Sequence, residues 1–133
     1  MISIKFFKER LDDLYKKYIE CDDELEKRFK EKEIFKNEDE YCDITSCTWE
    51  LLRSGVNTLL MLFYDNSRIN NEMIEYDDYS RDLIYDYFCG DIEFLDMLEI
   101  LQEIKRQQEI SENCDIIDID KIDKMIEKYK KEE

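Results

Sequence analysis

Two glycines and no proline in 133 residues leave this chain almost without the residues that build tight turns. Hairpin turns favour Gly, Asn or Asp at positive φ, and a sheet of short strands needs many of them. A β-rich fold is therefore disfavoured, and the expected fold class is all-α. The predicted architecture is a compact bundle of four to five helices, with residues 1–133 forming a single α-helical domain. The chain has the apolar content for a core: 43% of it is hydrophobic and 13% aromatic, so it is not a disordered acidic tail.

Periodicity then places the helices. Ile4, Phe7, Leu11, Leu14, Tyr18, Cys21 and Leu25 recur at alternating spacings of 3 and 4, a heptad seam that predicts one long helix from Ser3 to about Lys32. Acid-before-base pairs at i, i+4, such as Asp13/Lys17, Glu24/Arg28 and Glu26/Lys30, support it. The seam suits packing within the chain or a homodimer through this N-terminal helix. Asn37 to Asp43 reads as an acidic linker. Thr45, Ser46 or Thr48 then offers an N-cap for a second helix through Leu51, Leu52, Val56, Leu59, Leu60 and Phe63. Val56 to Tyr64 is apolar nearly all round, which places this helix at the centre of the core. Gly55 inside it marks a close helix–helix approach or a break.

Asp65-Asn66-Ser67 reads as a turn. A third helix carries Met73, Tyr76, Leu83 and Tyr87 and ends at Gly90 in the C′ position. Asp91 is the predicted cap of a fourth helix with Phe94, Leu95, Leu98, Leu101 and Ile104 inward. Asp118 or Asp120 is the predicted cap of a last one with Ile119, Ile122, Met125, Ile126 and Tyr129 inward. A short strand over Cys114 to Asp120 is the alternative there.

Composition also bounds function. The chain has no His, which removes imidazole acid–base catalysis, His-based nucleophile systems and His-containing metal sites. Cys21, Cys42, Cys47, Cys89 and Cys114 are odd in number and scattered, so they read as structural thiols in a reducing compartment. No catalytic residue, metal site or cofactor is expected. The longest unbroken apolar run, Leu59 to Tyr64, falls far short of the roughly 20 residues a membrane span needs, and no secretion signal is expected at the N-terminus. The expectation is a soluble, cytoplasmic protein. Ala is absent altogether, and with no Pro and two Gly this points to AT-rich coding DNA, as in a low-GC bacterium, a phage or an AT-rich animal virus.

Net charge is −16, from 36 acids against 20 bases. Solubility alone asks for a magnitude of only about 2 to 8 in a small domain. Such a surface repels nucleic acid and anionic membrane and attracts basic partners. Direct nucleic-acid or membrane binding is not expected, and a basic protein partner is.

Two short stretches carry family likenesses. Glu72-Met-Ile-Glu75, followed by Glu93-Phe-Leu-Asp96, resembles the paired E-x-x-E and E-x-x-D motifs of the all-α nucleotide pyrophosphohydrolases. That likeness implies four carboxylates holding Mg²⁺ against a nucleotide's phosphates. The bland counterpart is a solvated acidic helix face. Glu50-Leu51-Leu52-Arg53-Ser54-Gly55-Val56-Asn57 resembles the first homology motif of the apoptosis regulators of the B-cell lymphoma family. It implies a bundle that binds a helical death motif in a groove. Thr58, Leu59 and Leu60 stand where that family has Trp-Gly-Arg.

The third constellation is an acidic-aromatic band: Glu72, Glu75, Tyr76, Asp77, Asp78, Tyr79, Asp82, Tyr85 and Asp86, continuing through Tyr87 and Asp91 to Glu93 and Asp96. Carboxylates on successive helical turns present charge at spacings comparable to phosphates along a nucleic-acid strand, and tyrosines supply anchoring area. The nine residues from Glu72 to Asp86 are the predicted partner-binding set. The alternative use is structural, with Tyr76 and Tyr87 turned to the core. In class the chain is similar to phage anti-defence proteins of the anti-CRISPR type and to toxin-immunity proteins. These are small, acidic and non-enzymatic. The expected function is inhibition of a basic nuclease, nucleic-acid-guided defence enzyme or toxin by occupancy, in part as a DNA mimic.

Overall fold

A computed structural model describes residues 2–32, 34–64, 73–110 and 118–131, with the side chains of residues 73–78 and 131 outside the description. Five α-helices account for nearly all of it, α1 (Ile4–Lys30), α2 (Glu38–Tyr64), α3 (Met73–Phe88), α4 (Phe94–Ile110) and α5 (Ile119–Lys131), with no strand among the described residues. The fold is all-α, as the scarcity of turn residues requires. Among the described residues no helix is long and apolar enough to cross a membrane. The helices fall into two units, residues 1–63 and 64–133.

The first unit is an antiparallel helical hairpin. Ser3 caps α1, its hydroxyl accepting the Phe6 amide at 3.1 Å. The seam of α1 meets α2 at successive levels. Phe7 stacks on Phe63, Leu14 lies against Gly55, Tyr18 meets Trp49 edge-on, and Phe29 stacks on Tyr41. Phe7 and Leu11 are fully buried, each worth about 1.5–3 kcal/mol of transfer free energy. Ile4 and Cys21, at the same heptad positions, stay exposed. Phe35, buried in the connection, sets its ring against both Phe29 and Tyr41 and closes the hairpin.

Helix α2 begins earlier than expected. Asn37 accepts the Glu40 amide at 2.9 Å, so the acidic stretch read as a linker is the helix's first turns. Glu38, Asp39 and Glu40 are favourable there because a helix N-terminus carries partial positive charge. Thr45 and Thr48, read as caps, instead donate back to the carbonyls of Tyr41 and Thr45 inside the helix. Helix α2 runs through Gly55 without a break, so the glycine serves close approach.

In the second unit α3 ends in a Schellman turn: the Asp91 amide donates to the Asp86 carbonyl and the Gly90 amide to that of Tyr87, with Gly90 at φ +80°. Gly90 therefore holds the expected C′ position. Asp91 is part of this turn and does not cap α4, which starts three residues later at Phe94. The inward face of α4 is Phe94, Met97, Leu98, Leu101, Ile104 and Gln108, and Leu95 lies 73% exposed off that face. Asp118 caps α5 by accepting the Lys121 amide at 3.0 Å. The strand alternative fails from Asp118 onward, while residues 114–117 lie outside the described residues, as does the Asp65-Asn66-Ser67 turn. On α5 Ile122 is buried, Met125, Ile126 and Tyr129 are half-buried, and Ile119, expected inward, is exposed.

Candidate partner-binding face

The predicted binding set maps onto α3. Glu72 lies outside the described residues. Glu75, Tyr76, Asp77 and Asp78 are on the helix, with side chains outside the description. Tyr79, Asp82 and Asp86 follow at spacings of 3 and 4, which brings them to one helical face. Asp82 is exposed there. Tyr85 is half-buried, its ring 6.2 Å from that of Phe88. Tyr87 is half-buried and meets Phe94 edge-on at 5.5 Å.

The two flanking members of the face are engaged by α5. Tyr79 donates its hydroxyl to Asp123 at 2.7 Å, and Lys130 reaches Asp86 at 3.0 Å. Burial pushes the Tyr79 hydroxyl well above the usual phenol range, and the hydrogen bond to Asp123 with the charges of Asp123 and Asp82 adds to it. Tyr79 is thus a neutral donor throughout the physiological range. Neither Asp123 nor Lys130 belonged to the expected site. The sequence signal for Lys130 was the lysine-rich composition of the last helix, which carries five Lys against three acids, and nothing there pointed to Asp123.

The helix α4 contributes a second polar centre. Glu103, its side chain 13% exposed, accepts from Arg106, Gln107 and Lys121, the last at 2.6 Å across to α5. Gln107 in turn accepts the Asp118 amide at 2.8 Å. The hydrogen bond from Arg106 is the leading cause that holds the Glu103 carboxyl far below the usual carboxylate range; Lys121 and Gln107 act in the same direction against partial burial. Tyr129 donates to Glu99, a further tie between α5 and α4.

Charge is distributed unevenly over these elements. Helix α1 carries eight acids and eight bases, whereas α3 carries five acids and one base, Arg81, which is buried at 7% exposure. Of the carboxylates in the nucleotide-type motif pair, Glu93 is exposed and Asp96 half-buried. Among the described residues no three Cys, Asp or Glu side chains gather to hold a metal ion. Gly55, central to the second likeness, faces Leu14. The thiols expected as structural are exposed at Cys21, Cys42, Cys47 and Cys89, and Cys114 lies outside the described residues. No protein-family model, curated protein or solved structure matches the chain.

Proposed function

We propose that this protein is a small acidic binding protein that neutralises a basic partner by occupancy. The partner class is a nuclease, a nucleic-acid-guided defence enzyme or a toxin. The observation that carries this reading is the imbalance on α3: its one base is buried, while Asp82 is exposed on the same face as Tyr79 and Asp86. Carboxylates at that spacing steer a positive cleft over about a Debye length, roughly 8 Å at physiological salt, and a tyrosine beside them supplies contact area. The work is done by occupancy, with no catalytic residue, metal or cofactor.

The test is a tagged pull-down from nuclease-treated lysate of the source cell or its host, eluted in salt steps and read by mass spectrometry. The expected result is a basic nucleic-acid-handling enzyme or toxin that is released as salt rises and is lost with the Asp82→Lys, Asp86→Lys double variant. A partner retained at high salt, or retained equally by the double variant, overturns the reading.

A further inference from the structure

Helix α5 shows what kind of ligand the acidic face of α3 accepts. It is amphipathic and lysine-rich, with Ile122 buried and Met125, Ile126 and Tyr129 half-buried along one side. Lys130 pairs with Asp86, and Asp123 accepts from Tyr79. Tyr79 and Asp86 belong to the acidic band that a basic partner would meet, so a basic helix of the chain itself already engages two of its positions.

The hold of α5 on the acidic face is of a detachable kind. Among the described residues of α5 only Ile122 is fully buried, with Met125, Ile126 and Tyr129 half-buried, and the contacts with Tyr79 and Asp86 are polar ones at part-exposed positions: Lys130 is 45% and Asp86 31% exposed in their pair. Exposed ion pairs contribute little each and are screened by salt. A helix tethered to its own docking face also competes with any ligand in trans, lowering that ligand's apparent affinity by the fraction of time the face is open.

Resting on the reading of α3 as the partner-binding face, we propose that α5 is a displaceable cover and that the partner engages Tyr79, Asp82 and Asp86 with a lysine-rich amphipathic helix that takes α5's place. The partner's helix is then expected to repeat the pattern of α5, with an apolar residue and a lysine eight positions later, as Ile122 and Lys130 are spaced.

The experiment uses the full chain and a labelled synthetic peptide of residues 118–131 as the probe, with a scrambled peptide of the same composition beside it. Binding is read by fluorescence anisotropy at low salt, and amide hydrogen exchange of α5 is followed in the same samples. The wild-type chain should bind the peptide weakly, and Lys130→Gln in the chain should tighten binding by fivefold or more while speeding exchange in α5. Lys124→Gln removes the same charge from an exposed position of the same helix and should leave affinity within twofold. Equal tightening by the two variants reduces the effect to net charge and overturns the cover. Equal binding of the scrambled peptide, or no binding to either chain, overturns the helical partner. Both results leave the pull-down outcome standing, so failure here is separable from failure of the function proposed above. Peptide binding accompanied by unchanged α5 exchange also overturns displacement, and a dimer by light scattering would assign the face to a second copy's α5 instead.

Discussion

Gly55 of α2 lies directly against the side chain of Leu14 on α1: a Cβ added to the glycine would stand 2.8 Å from Leu14 Cδ2 and 2.9 Å from Cδ1. The contact is with the far end of a leucine, which can turn aside. Gly55→Ala gains about 1 kcal/mol of helix propensity and loses a similar amount by displacing Leu14, so its stability should stay within about 1 kcal/mol of wild type. In a Leu14→Ala background the same change should yield its full gain of about 1 kcal/mol. A double-mutant cycle by urea denaturation measures the difference as a coupling energy. Additivity would show that the two residues do not meet.

Gly90 is required for the opposite reason. Nothing lies within 4 Å of a Cβ placed there, but its φ of +80° is costly for any residue with a side chain. Gly90→Ala should destabilise by about 1–2 kcal/mol, and Gly90→Asn by less, since Asn tolerates the left-handed region. Thermal melts of the three chains give the ranking. An alanine variant as stable as wild type would mean that the Schellman turn rearranges at no cost.

Gly90 was legible as a helix end because an Asp of capping type and a new helical pattern follow it, whereas Gly55 was legible only as a close approach or a break, and the structure decides for approach. The α1 seam was legible from its alternating spacings of 3 and 4, and Phe7, Leu14 and Tyr18 do face α2 while Leu11 is fully buried. What misled was local chemistry with two uses. Glu38, Asp39 and Glu40 look like a solvated linker and equally like a helix first turn, and Thr45 and Thr48 look like caps while bonding back inside a helix. The engagement of Tyr79 by Asp123 was not legible at all. It joins residues 44 apart, and no periodicity within either helix encodes the pairing.

Lys32 stands at φ 57° in the α1–α2 connection without being glycine. A lysine held in the left-handed region stores about 1 kcal/mol of backbone strain. Lys32→Gly should relieve it, less the extra chain entropy that glycine brings to the unfolded state, for a net gain of up to about 1 kcal/mol. The chemical-denaturation midpoint should rise with an unchanged m-value. A fall would show that the lysine side chain contributes more than its backbone costs.

Glu103 makes the acid stability of the α4–α5 contact testable. Its carboxyl is held far below the ordinary range by Arg106 and Lys121, so the folded state favours the ionised form more than the unfolded state does. The stabilisation is complete above the unfolded value of about 4.3 and is lost as pH falls through that value towards the depressed folded one. Glu103→Gln, which keeps the shape and removes the charge, should cost about 1–2 kcal/mol at pH 7. That difference should shrink steadily below about pH 4, because the wild-type carboxyl then becomes neutral as well. Paired urea titrations from pH 7 to pH 2 read the gap. A gap that does not change with pH would assign the cost to geometry and not to charge.

Asp82 and Asp86 share a face but not a situation, and this separates their kinetic effects on partner binding. Asp82 is exposed, whereas Asp86 is already paired with Lys130. Exposed rim charges act mainly on the encounter, so Asp82→Asn should slow association several-fold at low salt, with little change in dissociation. The effect should fade as added salt shortens the Debye length. Asp86→Asn releases Lys130 and removes a contact at once, so it should change dissociation as well as association. Stopped-flow traces against the basic target at two salt concentrations distinguish the two. If Asp82→Asn instead speeds dissociation and leaves association untouched, Asp82 is a buried contact of the complex and the steering role assigned to it is wrong.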